Sequence, residues 1–168
     1  MPMNRIAIIG ISGSGKSTFA NKLGKKLNRP VIHLDKYFWT TGWKERYATR
    51  DEFRKVAAGF TNQEEWIIDG NYRSTMENRL DKADTIIFLD FPKWKCTLRV
   101  LKRTFNRKQP FDKPEGLKER VDWGFIKFIL DYPTDETREL VKRYENTKKV
   151  YIVKNDKEIK LLLETLTG

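Results

Sequence analysis

The sequence predicts an α/β protein in which a parallel sheet is covered by helices on both faces. Five short apolar runs alternate with stretches whose apolar residues recur at helical spacing, and this alternation is typical of buried parallel strands. The runs cover residues 6–10, 31–35, 66–70, 85–90 and 149–154. The chain has 168 residues, no internal repeat and no linker-like segment, so we expect one domain over residues 1–168.

The first run leads into a glycine-rich segment, RIAIIGISGSGKST. Gly10, Gly15, Lys16 and Ser17 have the phosphate-loop spacing G-x-x-x-x-G-K-[ST]. The apolar run before them predicts a strand, and helical spacing over residues 17–27 predicts a helix after them. The segment therefore lies at a strand-to-helix turn, the place where such a loop can bind phosphate.

The expected ligand of this loop is a phosphate chain. Glycines let consecutive backbone N–H groups converge on an anion, and the following helix adds the positive end of its dipole. Lys16 would contact the outer phosphates, the Ser17 hydroxyl would hold Mg²⁺, and Thr18 would pack or cap beside them. We assign nucleotide binding to Gly10, Ser12, Gly13, Ser14, Gly15, Lys16, Ser17 and Thr18. The alternative is a glycine-rich connector without a ligand.

Several helix ends can be recognised from the sequence. Thr49 and Asn155 each stand three residues before a glutamate, which is capping-box spacing at a helix start. Pro133 divides residues 117–146 into two helices. Gly24 lies inside the first helix, where glycine costs about 1 kcal/mol relative to alanine. These signals place helices between the predicted strands, as the α/β class requires.

Three of the apolar runs contain an aspartate at or near their end: Asp35, Asp69 and Asp90. Ligands of parallel α/β sheets bind beyond the carboxyl ends of the strands. We interpret Asp69 as holding magnesium or its waters opposite Ser17. Asp35 precedes aromatic residues within 37–47 and is interpreted as the acceptor of a proton from an attacking hydroxyl. The alternatives are that these aspartates cap helices or start turns, and that the rings only cover the sheet edge.

Basic residues supply a second group of candidates. Arg73 follows Asp69 closely enough to contact a transferred phosphoryl group or an anionic acceptor. Lys95, Arg99, Arg103 and Arg107 recur at intervals of four on one predicted helix. Unpaired bases at this spacing repel one another, so an anion is expected nearby, and phosphoryl transfer supplies one. The alternative is a solvated basic face.

The same helix carries an apolar stripe, made by Trp94, Leu98, Leu101 and Phe105. The segment that follows, residues 105–116, contains two prolines and a glycine. We expect it to form a mobile loop within a lid of roughly residues 103–120.

Charge and composition limit the possible functions. The formal net charge is +11, and residues 93–108 contain seven basic side chains and no acidic one. Such a field suits a polyanionic partner, either nucleotide phosphates or nucleic acid. No apolar run is long enough to cross a membrane, and the first apolar run is too short for a signal peptide, so we expect a cytoplasmic protein. The single cysteine, Cys96, excludes an internal disulfide, and the single histidine, His33, is assigned a structural role.

The stretches GISGSGKST, HLDKYFW, WIIDGNYR and TIIFLDFP followed by RVLKR resemble the topology modulation proteins, a group within the adenylate-kinase-like P-loop kinases. The resemblance covers nearly the whole chain. It implies a three-layer α/β/α fold whose five-stranded parallel sheet has the order 2-3-1-4-5, with the strand that ends at Asp69 beside the phosphate-loop strand. It also implies ATP as the phosphoryl donor, Mg²⁺, and arginines corresponding to Arg99, Arg103 and Arg107 near the lid.

The acceptor stays open at this point. DGNYR stands where nucleoside monophosphate kinases usually have D-G-F-P-R, and Asp35 stands alone where shikimate-type kinases typically have two aspartates. Neither the base preference nor the choice between monomer and homodimer is defined by the sequence.

Two functions follow from these observations. The first is an ATP-dependent kinase that transfers the γ-phosphoryl group to a small-molecule or nucleotide acceptor. Its expected catalytic residues are Lys16, Asp35, Arg73, Arg99 and Arg103, and its expected metal ligands are Ser17 and Asp69. The alternative is a nucleotide-regulated nucleic-acid-binding protein that affects DNA topology, although no helix-turn-helix, zinc or RNP-type motif supports it.

Overall fold

The computed structural model describes residues 3–105, 112–115, 117 and 121–168. The predicted α/β class and strand order are confirmed: five parallel strands form one sheet in the order β2-β3-β1-β4-β5. The strands are β1 (Arg5–Gly10), β2 (Val31–His33), β3 (Trp66–Asp69), β4 (Thr85–Leu89) and β5 (Lys149–Val153). The helices are α1 (Lys16–Leu27), α2 (Leu34–Phe38), α3 (Arg50–Thr61), α4 (Arg73–Lys82), α5 (Lys93–Phe105), α6 (Trp123–Leu130), α7 (Thr134–Lys142) and α8 (Asp156–Thr167).

The central strand β1 is buried on both faces. It pairs with β3 on one side and with β4 on the other, and residues 6–9 are fully inaccessible to solvent. A strand covered on both faces needs apolar side chains at successive positions, which is why the run Ile6–Ile9 does not alternate with polar residues. The edge strand β5 pairs only with β4 and is mostly half-buried.

Two apolar clusters hold the helices against the sheet. One cluster joins side chains of α1, α5, α6 and α8 to one face. The other joins side chains of α3, α4 and α7 to the opposite face. The molecule therefore has three layers, and the carboxyl ends of β1, β2 and β3 lie side by side at one edge of the sheet.

The predicted helix starts are confirmed. The Thr49 hydroxyl accepts a hydrogen bond from the Glu52 amide at 3.3 Å, and the Asn155 side chain accepts one from the Glu158 amide at 3.0 Å. Pro133 separates α6 from α7, as predicted. None of the described helices combines the length and apolar character needed to span a membrane.

One strand is shorter than predicted. The apolar run 31–35 was expected to be a strand throughout, but β2 ends at His33 and the chain turns directly into α2. Leu34 is fully buried and Phe38 packs against the same apolar cluster. Side chains four residues apart share one face of a helix, so the helical turn buries both. Asp35 accordingly lies in the first turn of α2 and not at the end of a strand.

The apolar stripe of α5 does not face the core. Trp94 is 64% exposed and Leu98 is 48% exposed, whereas Cys96 and Val100 are fully buried. A Cβ atom on Gly13 would lie 2.5 Å from the Cys96 carbonyl oxygen, so this face of α5 packs directly on the phosphate-loop backbone. Most of the predicted lid, including Arg107, falls outside the described residues.

Replacing Gly24 with alanine should destabilise the protein, although alanine is the better helix former. A Cβ at this position would lie 2.2 Å from Val31 Cγ2 and 3.1 Å from the Arg29 carbonyl oxygen. We expect the free energy of unfolding to fall by about 1 kcal/mol or more, because the overlap outweighs the propensity gain. Urea unfolding measures this change.

The matched control is Gly59→Ala in α3, where an added Cβ would meet no atom within 4 Å. The free energy of unfolding of this variant should rise by about 0.5–1 kcal/mol. Equal effects of the two substitutions would contradict the close approach of α1 to β2.

Candidate active site

The phosphate loop leads directly into the first turn of α1. Gly15 is the N-cap residue and has a φ of +99°, a conformation that residues with a side chain rarely adopt. No side chain caps this helix end, and its first turn contains no acidic residue. Among the described residues, no acceptor receives the backbone N–H groups of Lys16, Ser17 and Thr18. This helix end therefore offers three N–H donors and a positive dipole to an anion.

Ser14 carries a buried hydroxyl. Its backbone N–H donates to the Ile11 carbonyl at 3.1 Å, which closes the turn of the loop. Its side-chain oxygen makes no hydrogen bond with any of the described residues. A buried hydroxyl without a partner costs about 1–3 kcal/mol, so such groups usually mark a place that a ligand or ordered water completes.

Lys16 lies inside the loop and not in solvent. Its side chain is buried, and Nζ donates to the Ile11 carbonyl at 2.9 Å. Burial lowers the pKa of the Lys16 ammonium, and the nearby carboxylates of Asp69 and Asp35 partly reverse that shift. The ammonium is thus held next to the helix end, where phosphate groups would strengthen its charged form.

Ser17 and Asp69, the two predicted metal ligands, lie next to each other in the structure, and their role as ligands stays a prediction. The Ser17 hydroxyl donates to Asp69 Oδ2 at 2.7 Å, and Asp69 is almost completely buried at the carboxyl end of β3. The other carboxylate oxygen, Oδ1, lies 2.5 Å from Nδ1 of His33 at the end of β2. His33, which we predicted to be structural, therefore holds the carboxylate from the side opposite Ser17.

The donor set around Asp69 fits magnesium only with help from a nucleotide. Mg²⁺ is usually held by one or two protein oxygens together with phosphate oxygens and waters. Ser17 and Asp69 supply two oxygen ligands, and no group of three or more His, Cys, Asp or Glu among the described residues could hold a metal ion. The residues present are therefore consistent with a Mg²⁺–nucleotide complex.

Asp35 lies at the neighbouring strand end and has one strong partner. The Tyr72 hydroxyl donates to Asp35 Oδ1 at 2.6 Å, while no described residue donates to Oδ2. Burial raises the pKa of the Asp35 carboxyl, and the Tyr72 hydrogen bond and the charge of Lys113 reduce that increase. A carboxylate with a raised pKa and a free oxygen is a better proton acceptor than an exposed one.

Aromatic rings next to Asp35 fix its surroundings. The Phe38 ring packs within 4.9 Å, centroid to centroid, of the rings of Trp39, Phe53 and Tyr72. Tyr72 is a member of this ring cluster, and its hydroxyl is the group that donates to Asp35. The Lys113 ammonium lies 4.5 Å from the centre of a further ring, that of Trp43.

The predicted basic residues differ in their partners. Arg99 reaches the phosphate loop: Nη1 donates to the Ser14 carbonyl at 3.2 Å, and Nη2 pairs with Asp156 at the start of α8. Lys95 pairs with the same carboxylate at 2.8 Å. Part of the basic face is therefore neutralised within the protein and is not simply solvated.

Arg73 has an acidic partner within the protein. It is 61% exposed and pairs with Glu136 of α7 at 2.5 Å. Arg103 is exposed on α5, and Arg107 falls outside the described residues. The third aspartate, Asp90, binds Arg138 of α7 through both carboxylate oxygens, at 2.7 and 3.1 Å. The assignment of Arg73 and Arg103 to catalysis stays a prediction.

Sequence reasoning missed two side chains of this site, Tyr72 and Arg79. Tyr72 was part of the quoted stretch WIIDGNYR but received no role. Arg79 is fully buried in α4 on the same helix face as Met76 and Leu80, and its guanidinium contacts the turn after β3. A basic residue on the buried face of a predicted helix was the available signal.

Solved structures with the same fold are P-loop kinases. Shikimate kinase from Acinetobacter baumannii in complex with shikimate superposes with a TM-score of 0.62 at 16% identity, over 98% of this chain and 90% of that one. Deoxyadenosine kinase from M. mycoides with dCMP and dCDP gives 0.55 at 18% identity, over 96% and 97%. A gluconokinase from Sinorhizobium meliloti 1021 gives 0.58 at 14% identity, over 98% and 94%. Fold and site together define a protein with a P-loop kinase-like fold.

The family is shown by a sequence model. The model described as RNA helicase matches residues 6–106, more than half of the chain, and the chain belongs to this family. The matched segment contains the phosphate loop, Asp35, Asp69 and Arg99. The uncharacterised protein YqaC of Bacillus subtilis (strain 168) is 28% identical over 102 residues, which are 61% of this chain. The match spans 57% of YqaC, just over half its length.

Replacing Asp35 with asparagine should change the pH dependence of stability. The folded-state pKa of Asp35 is raised above the usual value of 3.8, so its ionisation on going to neutral pH costs folding free energy. The difference in unfolding free energy between Asp35→Asn and the wild type should therefore shift in favour of the variant as the pH rises from about 4 to 7. Urea unfolding across this range measures the difference.

The control for this experiment is Glu64→Gln, which removes an exposed carboxylate between α3 and β3. This variant controls for the loss of one negative charge from a solvated position. A pH-independent difference for Asp35→Asn would contradict the raised pKa.

Proposed function

We propose that the protein is an ATP- and Mg²⁺-dependent phosphotransferase that transfers the γ-phosphoryl group to a hydroxyl of a small-molecule or nucleotide acceptor. The observation that carries this proposal is the Ser17–Asp69 hydrogen bond of 2.7 Å at the open end of α1. It joins a hydroxyl and a buried carboxylate, two ligands suited to Mg²⁺, beside N–H donors suited to phosphate. The kinase-like fold of the similar structures supports the same class of reaction.

The nucleotide side of the site would be formed by residues 10–18. The N–H groups of the α1 terminus and the ammonium of Lys16 would bind the phosphates, and the Ser14 hydroxyl would gain the partner it lacks. Arg99 supports the loop through the Ser14 carbonyl. Bound Mg²⁺ would neutralise charge on the phosphate oxygens, with Ser17 and Asp69 as its protein ligands.

The acceptor side would be formed around Asp35. The acceptor hydroxyl would give its proton to Asp35 Oδ2, and its oxygen would form the new bond to the γ-phosphorus. The bond between this phosphorus and the β–γ bridging oxygen breaks, and ADP leaves with that electron pair. The hydrogen bond from Tyr72 to Oδ1 keeps the carboxylate oriented during this proton transfer.

The kinases of similar fold differ in the chemical class of their acceptors. Their names include a deoxynucleoside kinase, a shikimate kinase and a gluconokinase, so three chemical classes of acceptor occur on this fold. A panel of nucleosides, nucleoside monophosphates, sugars and small hydroxy acids is therefore the appropriate screen, with ADP release as the readout. The resemblance to the topology modulation proteins likewise stays a prediction.

Replacing Lys16 with methionine should abolish acceptor-dependent ADP formation. The ammonium lies inside the loop, and its loss removes the point charge offered to the outer phosphates. We expect the rate to fall at least ~100-fold, which a coupled ADP assay measures with the best acceptor of the panel.

Lys22→Met is the control, because Lys22 is an exposed base of the same helix. Its rate should equal that of the wild type. Unchanged turnover in Lys16→Met would exclude the phosphate loop as the catalytic nucleotide site.

A second candidate function is binding of single-stranded nucleic acid, and the outer face of α5 and α6 favours it. Trp94, Trp123 and Phe128 are 64%, 77% and 54% exposed. The bases Lys102 and Lys127 are exposed on the same two helices. Exposed rings interleaved with basic residues suit stacked bases and phosphates. Because the matching family is described as RNA helicase, RNA is the nucleic acid to test.

Replacing Trp94 with alanine should weaken RNA binding if this second function exists. Loss of one stacking ring costs about 1–3 kcal/mol, roughly a 5- to 150-fold rise in Kd. Fluorescence anisotropy with a labelled single-stranded RNA measures Kd, and log Kd should rise with log salt by about 0.7 per phosphate contact.

Leu161→Ala is the matched control, because Leu161 is 63% exposed but lies on α8. Equal affinities of the two variants would exclude this face of α5 as the RNA-binding surface.

A further inference from the structure

Arg79 is the most deeply buried charged residue of the described chain. It lies in α4 with no exposed surface, and no carboxylate of the described residues forms an ion pair with it. Burial lowers the pKa of its guanidinium to about 10, and the charge of Asp69 is the largest opposing influence. The side chain is therefore a cation at neutral pH within the protein interior.

Burying a charged residue in this way reduces the free energy of unfolding. Removing an arginine from water costs several kcal/mol unless its donors are satisfied, and an apolar side chain at the same place is often no less stabilising. Leu80 and Met76 on the same helix face show that apolar side chains fit this layer. The position of the guanidinium thus calls for a reason other than filling the core.

Two nitrogens of the Arg79 guanidinium donate to carbonyls of the turn between β3 and α4, and the third donates to a hydroxyl in the first turn of α4. Nη1 donates to the Gly70 carbonyl at 3.1 Å and Nη2 donates to the Tyr72 carbonyl at 3.4 Å. Nε donates to the Thr75 hydroxyl at 3.2 Å, and that hydroxyl in turn donates to the Tyr72 carbonyl at 3.1 Å. One planar group therefore fixes both ends of the turn 70–72.

This turn carries the partner of the proposed proton acceptor. The hydroxyl of Tyr72 donates to Asp35 Oδ1 at 2.6 Å, across the space between two neighbouring strand ends. Gly70 has a φ of +145°, and a Cβ there would lie 2.9 Å from Leu34 Cβ, so the turn passes close to α2. A small rotation of the turn would withdraw the hydroxyl from the carboxylate.

We propose that Arg79 is a positioning residue for the phosphotransfer: its guanidinium fixes the turn 70–72 so that Tyr72 orients the carboxylate of Asp35 toward the acceptor hydroxyl. This inference rests on the proposed function. It assigns a role in the acceptor half of the site to a residue that contacts neither nucleotide nor acceptor.

The test compares Arg79→Lys, Tyr72→Phe and the double variant in the coupled ADP assay, with unfolding curves to correct for the folded fraction. Arg79→Lys keeps the charge but cannot bond both carbonyls in one plane. We expect kcat to fall ~10- to 100-fold in each single variant, with KM for MgATP within about twofold of the wild type. The double variant should lose no more than the worse single variant, because both act through one hydrogen bond.

Two further variants make the result decisive. Thr75→Val removes the hydroxyl that Arg79 Nε and the Tyr72 carbonyl share, and should lower kcat a few-fold in a well-folded protein. Arg54→Met is the matched control, because Arg54 donates to the Ser74 carbonyl of α4 from the exposed side and does not contact the turn. Its kcat should equal that of the wild type.

The contrary outcomes separate the positioning role of Arg79 from the proposed function. Multiplicative losses in the double variant, or a kcat for Arg79→Lys equal to that of Arg54→Met once the folded fraction is corrected, would overturn the positioning role alone. A matching rise of KM for MgATP would place the effect on nucleotide binding and would also overturn it. A wild-type protein that forms no ADP with any acceptor would overturn the proposed function and, with it, the role of Arg79.

Discussion

The buried carboxylate of Asp69 is the charge on which the rest of the site depends. Its two oxygens are divided between the Ser17 hydroxyl and the His33 ring, so the ends of β1, β2 and β3 meet at one group. Two cations, Lys16 and Arg79, are buried on either side of it. Asp69 is the largest influence that opposes the cost of burying each. Without this carboxylate both cations would lose the largest favourable charge interaction that offsets their burial.

The sheet topology determines which residues Asp69 can reach. In the parallel register, Asp69 lies opposite Ile8 of β1 on one side and opposite His33 of β2 on the other. Ile8 is two residues before the end of its strand, so the chain beyond it can form the loop that returns Ser17 to the carboxylate. A shift of β3 by one residue would place Asp69 on the opposite face, because side chains alternate along a strand. The register that builds the core therefore also builds the site.

The elements with local signals were predicted from the sequence, and those that depend on distant partners were not. Apolar runs located the five strands, and capping residues such as Thr49 located helix starts, because both signals lie within a few residues of the element they define. The pairing of Ser17 with Asp69 was predicted because a phosphate loop needs a second oxygen ligand from a neighbouring strand. The strand order came from the family resemblance and not from the residues alone.

The failures have a common physical cause. Asp35 was placed at a strand end, but Leu34 and Phe38 gain burial by forming a helical turn against residues of α3. The sequence located the apolar stripe that begins at Trp94 but not the face of α5 that holds Cys96, against which the phosphate-loop backbone packs. Tyr72 bonds the carboxylate of Asp35, which is distant in sequence, and Arg79 bonds the backbone carbonyls of Gly70 and Tyr72, which no sequence pattern marks. A periodic pattern shows that a helix has two faces but not which face another segment covers.

The balance of charge around the phosphate loop supports the anionic ligand that we propose for it. Lys16, the free N–H groups of α1 and the Arg99 guanidinium converge on the loop 10–18, and Asp156 neutralises only the outermost of them. Asp69 and Asp35 attract Lys16, and Asp69 accepts from the Ser17 hydroxyl, but within the described chain neither bonds the backbone N–H groups of the helix end. A phosphate chain placed between the helix end and these carboxylates would need a divalent cation to avoid repulsion. The Mg²⁺ that we propose, held by Ser17 and Asp69, would offset this repulsion, and it would lie between the proposed nucleotide site and the strand end next to Asp35.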